Sequence, residues 1–157
     1  MSGPYHKEDY IMKIEIFSAQ NAARELKSHR NRWHVVSLRD APNSMGLHLH
    51  PVTPYEDCAK SIIIKYFDDI SDTKYEMSGY VAPKREDILD IFDWVDKEDP
   101  KNLMVHCFAG VSRSSAVAYL IAYRKFGPKR ANKVIDSKLH RPNSLILDLG
   151  MSIMKGY

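Results

Sequence analysis

The sequence predicts an α/β fold, a central, mostly parallel, twisted sheet of about four or five strands flanked by helices. Three observations lead there. Short β-branched runs alternate with helix-patterned segments along the chain. Two of those runs, WHVVSL (33–38) and SIIIKYF (61–67), are apolar enough to read as strands covered on both faces. No repeat, linker or low-complexity stretch divides the 157 residues, a length that fits one domain with a substantial core.

The elements follow in order. KIEIF (13–17) alternates polar and apolar residues as a half-buried strand does. SAQNAARELKSHR (18–30) combines helix formers with Ser18 at the N-cap position. Between strands 33–38 and 61–67, Pro42, Pro51 and Pro54 bar a long helix. PKREDILDIFDWVDKE (83–98) opens on Pro83 and places Ile88, Ile91, Phe92 and Val95 at helical spacing. KNLMVHC (101–107) is a further buried strand, and SRSSAVAYLIAYRKFG (112–127) an apolar helix closed by Gly127-Pro128. PKRANKVIDSKL (128–139) and RPNSLILDLGMSIM (141–154) read as the last two helices. Strands joined through helices run parallel, and ligands of such sheets bind beyond the carboxyl ends of the strands.

Composition narrows the function classes. Hydrophobic residues make up 44% and charged residues 27%, with a net charge of +3, so nothing marks a nucleic-acid binder held by bulk charge. Cys58 and Cys107 are too few for a disulfide scaffold, which makes a reducing, cytoplasmic setting the expectation. No run is long enough for a membrane span, and residues 1–12 read as an N-terminal arm or a vector-derived remnant without a signal-peptide core. Oligomeric state leaves no mark in the sequence.

The chemistry concentrates in VHCFAGVSRSSAV (105–117). Backbone N–H groups of a strand-to-helix loop, with the free donors of the helix start, form a nest for an anion. Phe108, Ala109, Gly110, Val111 and Ser112 form that loop, Gly110 supplying conformational freedom. Arg113 adds a planar fork matched to two phosphate oxygens. Helix N-termini and cations favour thiolate over thiol, so Cys107 is expected to be a nucleophile aimed at a bound phosphoryl group. Ser114 can donate to the sulfur when thiolate departs. His106 points to the opposite side of the strand and is expected to brace the loop rather than act as a base.

HCFAGVSRS resembles the signature H-C-x-x-G-x-S-R-S of cysteine-dependent protein tyrosine phosphatases, and element size and order resemble their compact dual-specificity branch. The resemblance implies one phosphatase domain over residues 13–157, a cysteinyl-phosphate intermediate, and no cofactor or metal. Its implied partner is a phosphorylated protein or peptide carrying phosphotyrosine, with phosphoserine and phosphothreonine as further substrates. It also implies an aspartate general acid on the loop after a strand. Here KYFDDISD (65–72) offers Asp68 and Asp69, with Asp72 behind them; Asp69, two residues past Phe67, fits the family's spacing better. HRPNSLIL (140–147) resembles the Arg-Pro-Asn segment packed beneath the catalytic loop, making Asn143 a candidate support, an N-cap, or both.

Rival readings are weaker. A non-protein phosphoester, such as a phosphoinositide or an RNA end, is the nearest alternative, although the loop lacks the lysines that meet extra phosphates. A catalytically weak phosphate-binding module would be expected to lack one of the four residues Cys107, Arg113, Ser114 and Asp69. Rhodanese-type sulfur transfer needs neither Ser114 nor an acid, and arsenate reduction needs more cysteines. His48 and His50 lack nearby Cys or Glu and read as surface residues rather than metal ligands. A reversible disulfide between Cys58 and Cys107 requires a proximity that sequence does not supply. The basic run 123–133 reads as a solvated helix end, and no aromatic recognition segment for a phenol ring stands out.

Overall fold

In a computed structural model, residues 12–44 and 55–156 are described. His48 and His50, Pro51, Pro54 and nearly all of the N-terminal arm lie outside them. Four strands form one sheet in the order β1-β4-β2-β3, every pair parallel: β1 (Lys13–Ser18), β2 (His34–Arg39), β3 (Ser61–Tyr66) and β4 (Asn102–Cys107). The expected parallel α/β sheet is present, with four strands. In register, Ser18 pairs with Cys107 and Ser37 with His106, so the carboxyl ends of the strands meet along one edge.

Helices cover both faces. On one, α1 (Ala19–Ser28) buries Ala22 and Leu26 against Trp33, Val35, Cys58 and Met104. The Ser18 side chain caps this helix, accepting from the Asn21 N–H at 3.1 Å. On the other face, α2 (Arg85–Glu98), α3 (Arg113–Phe126) and α5 (Ser144–Met154) pack against Val36, Leu38, Leu103 and Val105. Alternation along the strands divides these sets, and each fully buried Leu, Ile or Phe contributes roughly 1.5–3 kcal/mol. Cys58 and Cys107 fall in opposite clusters, with the sheet between them, and both are free thiols; the geometry gives no support to a Cys58–Cys107 disulfide.

The helix ends depart from the sequence pattern where polar groups capture the backbone. The short α4 (Pro128–Val134) stops five residues before the expected Leu139. Ile135 is extended, and Asp136 then organises a turn, its side chain accepting from the Lys138 N–H and its carbonyl from the Leu139 and His140 N–H groups. Helix α5 begins at Ser144 rather than Arg141, because Pro142 disfavours a helical residue before it and Asn143 is the cap. Two 3₁₀ turns, Glu56–Cys58 and Thr73–Ser78, carry no apolar periodicity that would have announced them. Gly150 lets α5 cross α3 closely: a Cβ there would lie 2.3 Å from a Leu120 methyl. That crossing sets where the first turn of α5, and so Asn143, meets the loop between β4 and α3. Among the described residues no helix is long and apolar enough to cross a membrane.

Candidate active site

Cys107 ends β4, an inner strand held on both sides, and its side chain is buried. Its sulfur lies 3.1 Å from the Ser114 hydroxyl, within the first turn of α3. The loop between them is built by its carbonyls. Phe108 C=O accepts from the Ala19 N–H at 3.0 Å, Val111 C=O from the Arg141 N–H at 2.9 Å, and Ser112 C=O from the Asn143 N–H at 3.1 Å. The buried Ser115 hydroxyl adds donations to Val111 C=O at 2.6 Å and Ser112 C=O at 3.1 Å. Among the described residues, no backbone hydrogen bond uses the N–H groups of residues 109–114. A loop whose carbonyls are taken up from outside while its N–H groups remain available is a cradle for an anion. Gly110 makes the close docking possible, with φ +73° and a hypothetical Cβ only 2.7 Å from the Ser18 nitrogen.

Arg113 opens α3 and is buried. Its Nη1 donates to Phe67 C=O at 2.9 Å and meets Asp40 Oδ1 at 2.8 Å. Its Nε is buried without a partner among the described residues. The guanidinium is therefore anchored by one corner, and its Nε edge remains for a ligand oxygen. Asp40 directly follows β2 at the ligand-binding end of the sheet, and that position was the sequence signal for it; the proline-rich turn around it hid the role.

The two acidic candidates both line the same cavity and differ in their exposure and their partners. Asp68 is buried, and its carboxylate accepts from the Ala41 N–H at 3.2 Å and the Val81 N–H at 2.8 Å, stitching two loops together. Asp69 is exposed on the cavity side, its Oδ1 accepting from the Ser112 hydroxyl at 2.8 Å and from Asn143 Nδ2 at 2.9 Å. Asp72 caps the 3₁₀ turn through the Lys74 N–H. Asn143 makes three kinds of contact. Its backbone supports Ser112, its Oδ1 caps α5 at the Ile146 N–H, and its Nδ2 binds the Asp69 loop. Between Cys107, Arg113, Asp40, Asp69, Phe108 and Tyr80 lies a cavity of about 360 Å³. Tyr80, which arrives from the far end of the 71–79 excursion, and Phe108 give it aromatic lining that no sequence segment announced.

His106 faces away from the cavity, on the side of Ser37 and Arg39, and hydrogen-bonds with the Cys107 backbone. Burial first, then the Arg39 and Arg113 charges, push its pKa from 6.5 down to about 4. The unfolded chain thus binds the proton more readily than the folded one between those values. Stability from a neutral His106 is complete above pH 6.5 and is lost as pH falls toward 4, by roughly 3 kcal/mol in all. The wild type is expected to lose melting temperature faster than His106→Asn between pH 7 and 4.5. Parallel curves for the two proteins would contradict this account.

The fold is that of the cysteine-dependent protein tyrosine phosphatases, in the compact dual-specificity form. Solved structures with this arrangement include the human tyrosine phosphatase-like serine/threonine/tyrosine-interacting protein, with TM-score 0.57 and 15% identity over 90% of this chain and 91% of that one. PTPMT1 in complex with PI(5)P superposes with TM-score 0.60 and 14% identity, covering 91% of this chain and 90% of its own. Human DUSP28 gives 0.56 and 15%, over 92% and 95%. No family model and no curated protein sequence matches the chain.

Proposed function

We propose that this chain is a phosphomonoesterase acting through a cysteinyl-phosphate intermediate on phosphotyrosine in proteins or peptides. The observation that carries the reading is the cradle: Cys107 shares one cavity with Arg113, whose Nε has no partner, and with a loop whose N–H groups make no backbone hydrogen bond among the described residues. In the first step the Cys107 thiolate forms an S–P bond as the P–O bond to the substrate breaks, and Asp69 protonates the departing oxygen. Charge on the transferring group is met by the cradle and by Arg113. In the second step Asp69 takes a proton from water as its oxygen attacks phosphorus. The S–P bond breaks, Ser114 donates to the departing thiolate, and inorganic phosphate leaves. A free thiolate nucleophile suits a reducing compartment such as the cytoplasm.

Aromatic lining from Tyr80 and Phe108, and a loop without lysine, support an aryl phosphate over a polyphosphorylated inositol. The test compares phosphate release from phosphotyrosine and phosphothreonine peptides. Fast release from the first is expected, and the ratio sets how far Ser/Thr substrates are accepted. No release from either peptide would overturn the protein-phosphatase reading. Release from a phosphoinositide or a 5′-phosphorylated RNA alone would move the substrate class, and phosphopeptide binding without turnover would leave a recognition module.

Asp69→Asn is expected to lower turnover by about 10²–10⁴-fold, the range of a general acid. Asp68→Asn is expected to act on stability instead, because one of the two backbone donors it holds loses its acceptor, at about 1–3 kcal/mol. Full turnover in Asp69→Asn with loss in an equally folded Asp68→Asn would reverse the assignment.

A further inference from the structure

We infer that Asn143 is the positioning residue for the general acid, a role that rests on the assignment of Asp69 made above. Asp69 stands between the buried Asp68 and Ile70, but the chain beyond Ile70 is unpacked. Residues 71–79 are all exposed, and the 3₁₀ turn within them buries no side chain. Asp69 itself is exposed, so hydrogen bonds rather than core contacts fix where its carboxylate sits.

Asn143 supplies the fixed end. It is buried, and every polar group of the residue is engaged: the backbone N–H on Ser112 C=O, the side-chain Oδ1 under the Ile146 N–H, and Nδ2 on both Asp69 Oδ1 and Ile70 C=O at 2.9 Å each. One side chain therefore ties the catalytic loop, the acid loop and the start of α5 to one another. The Ser112 hydroxyl reaches the same Asp69 oxygen, so two donors occupy Oδ1. An oxygen that accepts two hydrogen bonds is a poor site for the acid proton. The proton is carried on Oδ2, and Asn143 selects that oxygen and its direction.

The experiment uses two aryl phosphates, one with a good leaving group (p-nitrophenyl phosphate) and one with a poor one (phenyl phosphate). A general acid matters most when the leaving oxygen is basic. Asn143→Ser keeps an oxygen able to cap α5 and deletes the Nδ2 donor. The expected result is a fall in kcat/KM of about 10–10²-fold for phenyl phosphate, the scale of a catalytic group displaced by about an ångström, with a much smaller fall for p-nitrophenyl phosphate. In the Asp69→Asn background the same substitution should add nothing further. Asn143→Thr also keeps a cap oxygen and removes the amide donor without adding charge, so it reads the same effect should the serine variant fold poorly.

Equal losses on both substrates, or an undiminished loss in the Asp69→Asn background, would reduce Asn143 to a structural cap and overturn the inference. A different result marks failure of the underlying reading. In that case Asp69→Asn by itself leaves phenyl phosphate turnover intact, and the acid lies elsewhere.

Discussion

Cys107→Ser is expected to lose at least about 10⁴-fold in turnover while the protein stays folded and still binds phosphopeptide. The chemical reason is that an alcohol is a far weaker nucleophile than a thiolate, and the Cys107 position offers no base to activate one. Among the described residues its side-chain hydrogen-bond partner is the Ser114 hydroxyl at 3.1 Å. The structural reason for retained binding is that the cradle does not depend on sulfur. Its shape comes from carbonyls held by Ala19, Arg141, Asn143 and Ser115, none of which the substitution touches. Exchanging sulfur for oxygen removes little volume from a site walled by β4 and α3. Steady-state kinetics and titration calorimetry with a phosphotyrosine peptide check both halves. Turnover within tenfold of wild type would rule out covalent catalysis by this residue, and lost binding with an intact fold would show that the sulfur itself shapes the cradle.

Arg113→Lys keeps the charge and is still expected to lower kcat/KM by about 10²–10⁴-fold. The native guanidinium performs two tasks through different edges. Nη1 bridges Phe67 C=O and Asp40, while the unpartnered Nε edge is the one proposed to meet the ligand. An ammonium is a single point on a flexible stem and cannot serve both ends at once. If it stays with Asp40, the ligand loses its fork; if it turns to the ligand, Asp40 loses its partner. The loss should fall mainly on kcat, because charge on the phosphoryl oxygens is rearranged at the transition state. Arg113→Ala should in addition lower stability by about 1–3 kcal/mol, since Phe67 C=O and Asp40 would be left without their donor. A lysine variant with wild-type kcat would show that charge alone suffices and that the fork is unimportant.

Much of this site was legible because it is local. Residues 107–114 lie consecutively on a strand end, a turn and a helix start, and each element imposes its own geometry on the next. Period-two alternation at the end of β4 turns Cys107 to the α3 face and His106 to the opposite one. The preference for Asp69 over Asp68 came instead from the spacing of the resembled family, two residues past Phe67. Both carboxylates reach the cavity, but Asp68 is buried under the Ala41 and Val81 N–H groups, whereas Asp69 is exposed and held by Ser112 and Asn143. The sheet was equally readable, since β-branched strands linked by helices have few ways to pair other than in parallel.

Other features depend on residues far apart along the chain, and no local period encodes them. Asn143 reaches Asp69 across 74 positions, and Asp40 meets Arg113 only because β2 and β4 are neighbours in the sheet. Tyr80 enters the cavity because the 71–79 excursion returns to Asp68, where paired hydrogen bonds pin Val81. Each is a polar or aromatic residue in a segment without apolar periodicity, so its neighbours carry no signal of its place. The strand-and-loop chemistry was written in the order of the residues. The company that Arg113 and Asp69 keep was decided by packing, which alone brings such separated side chains within hydrogen-bonding distance.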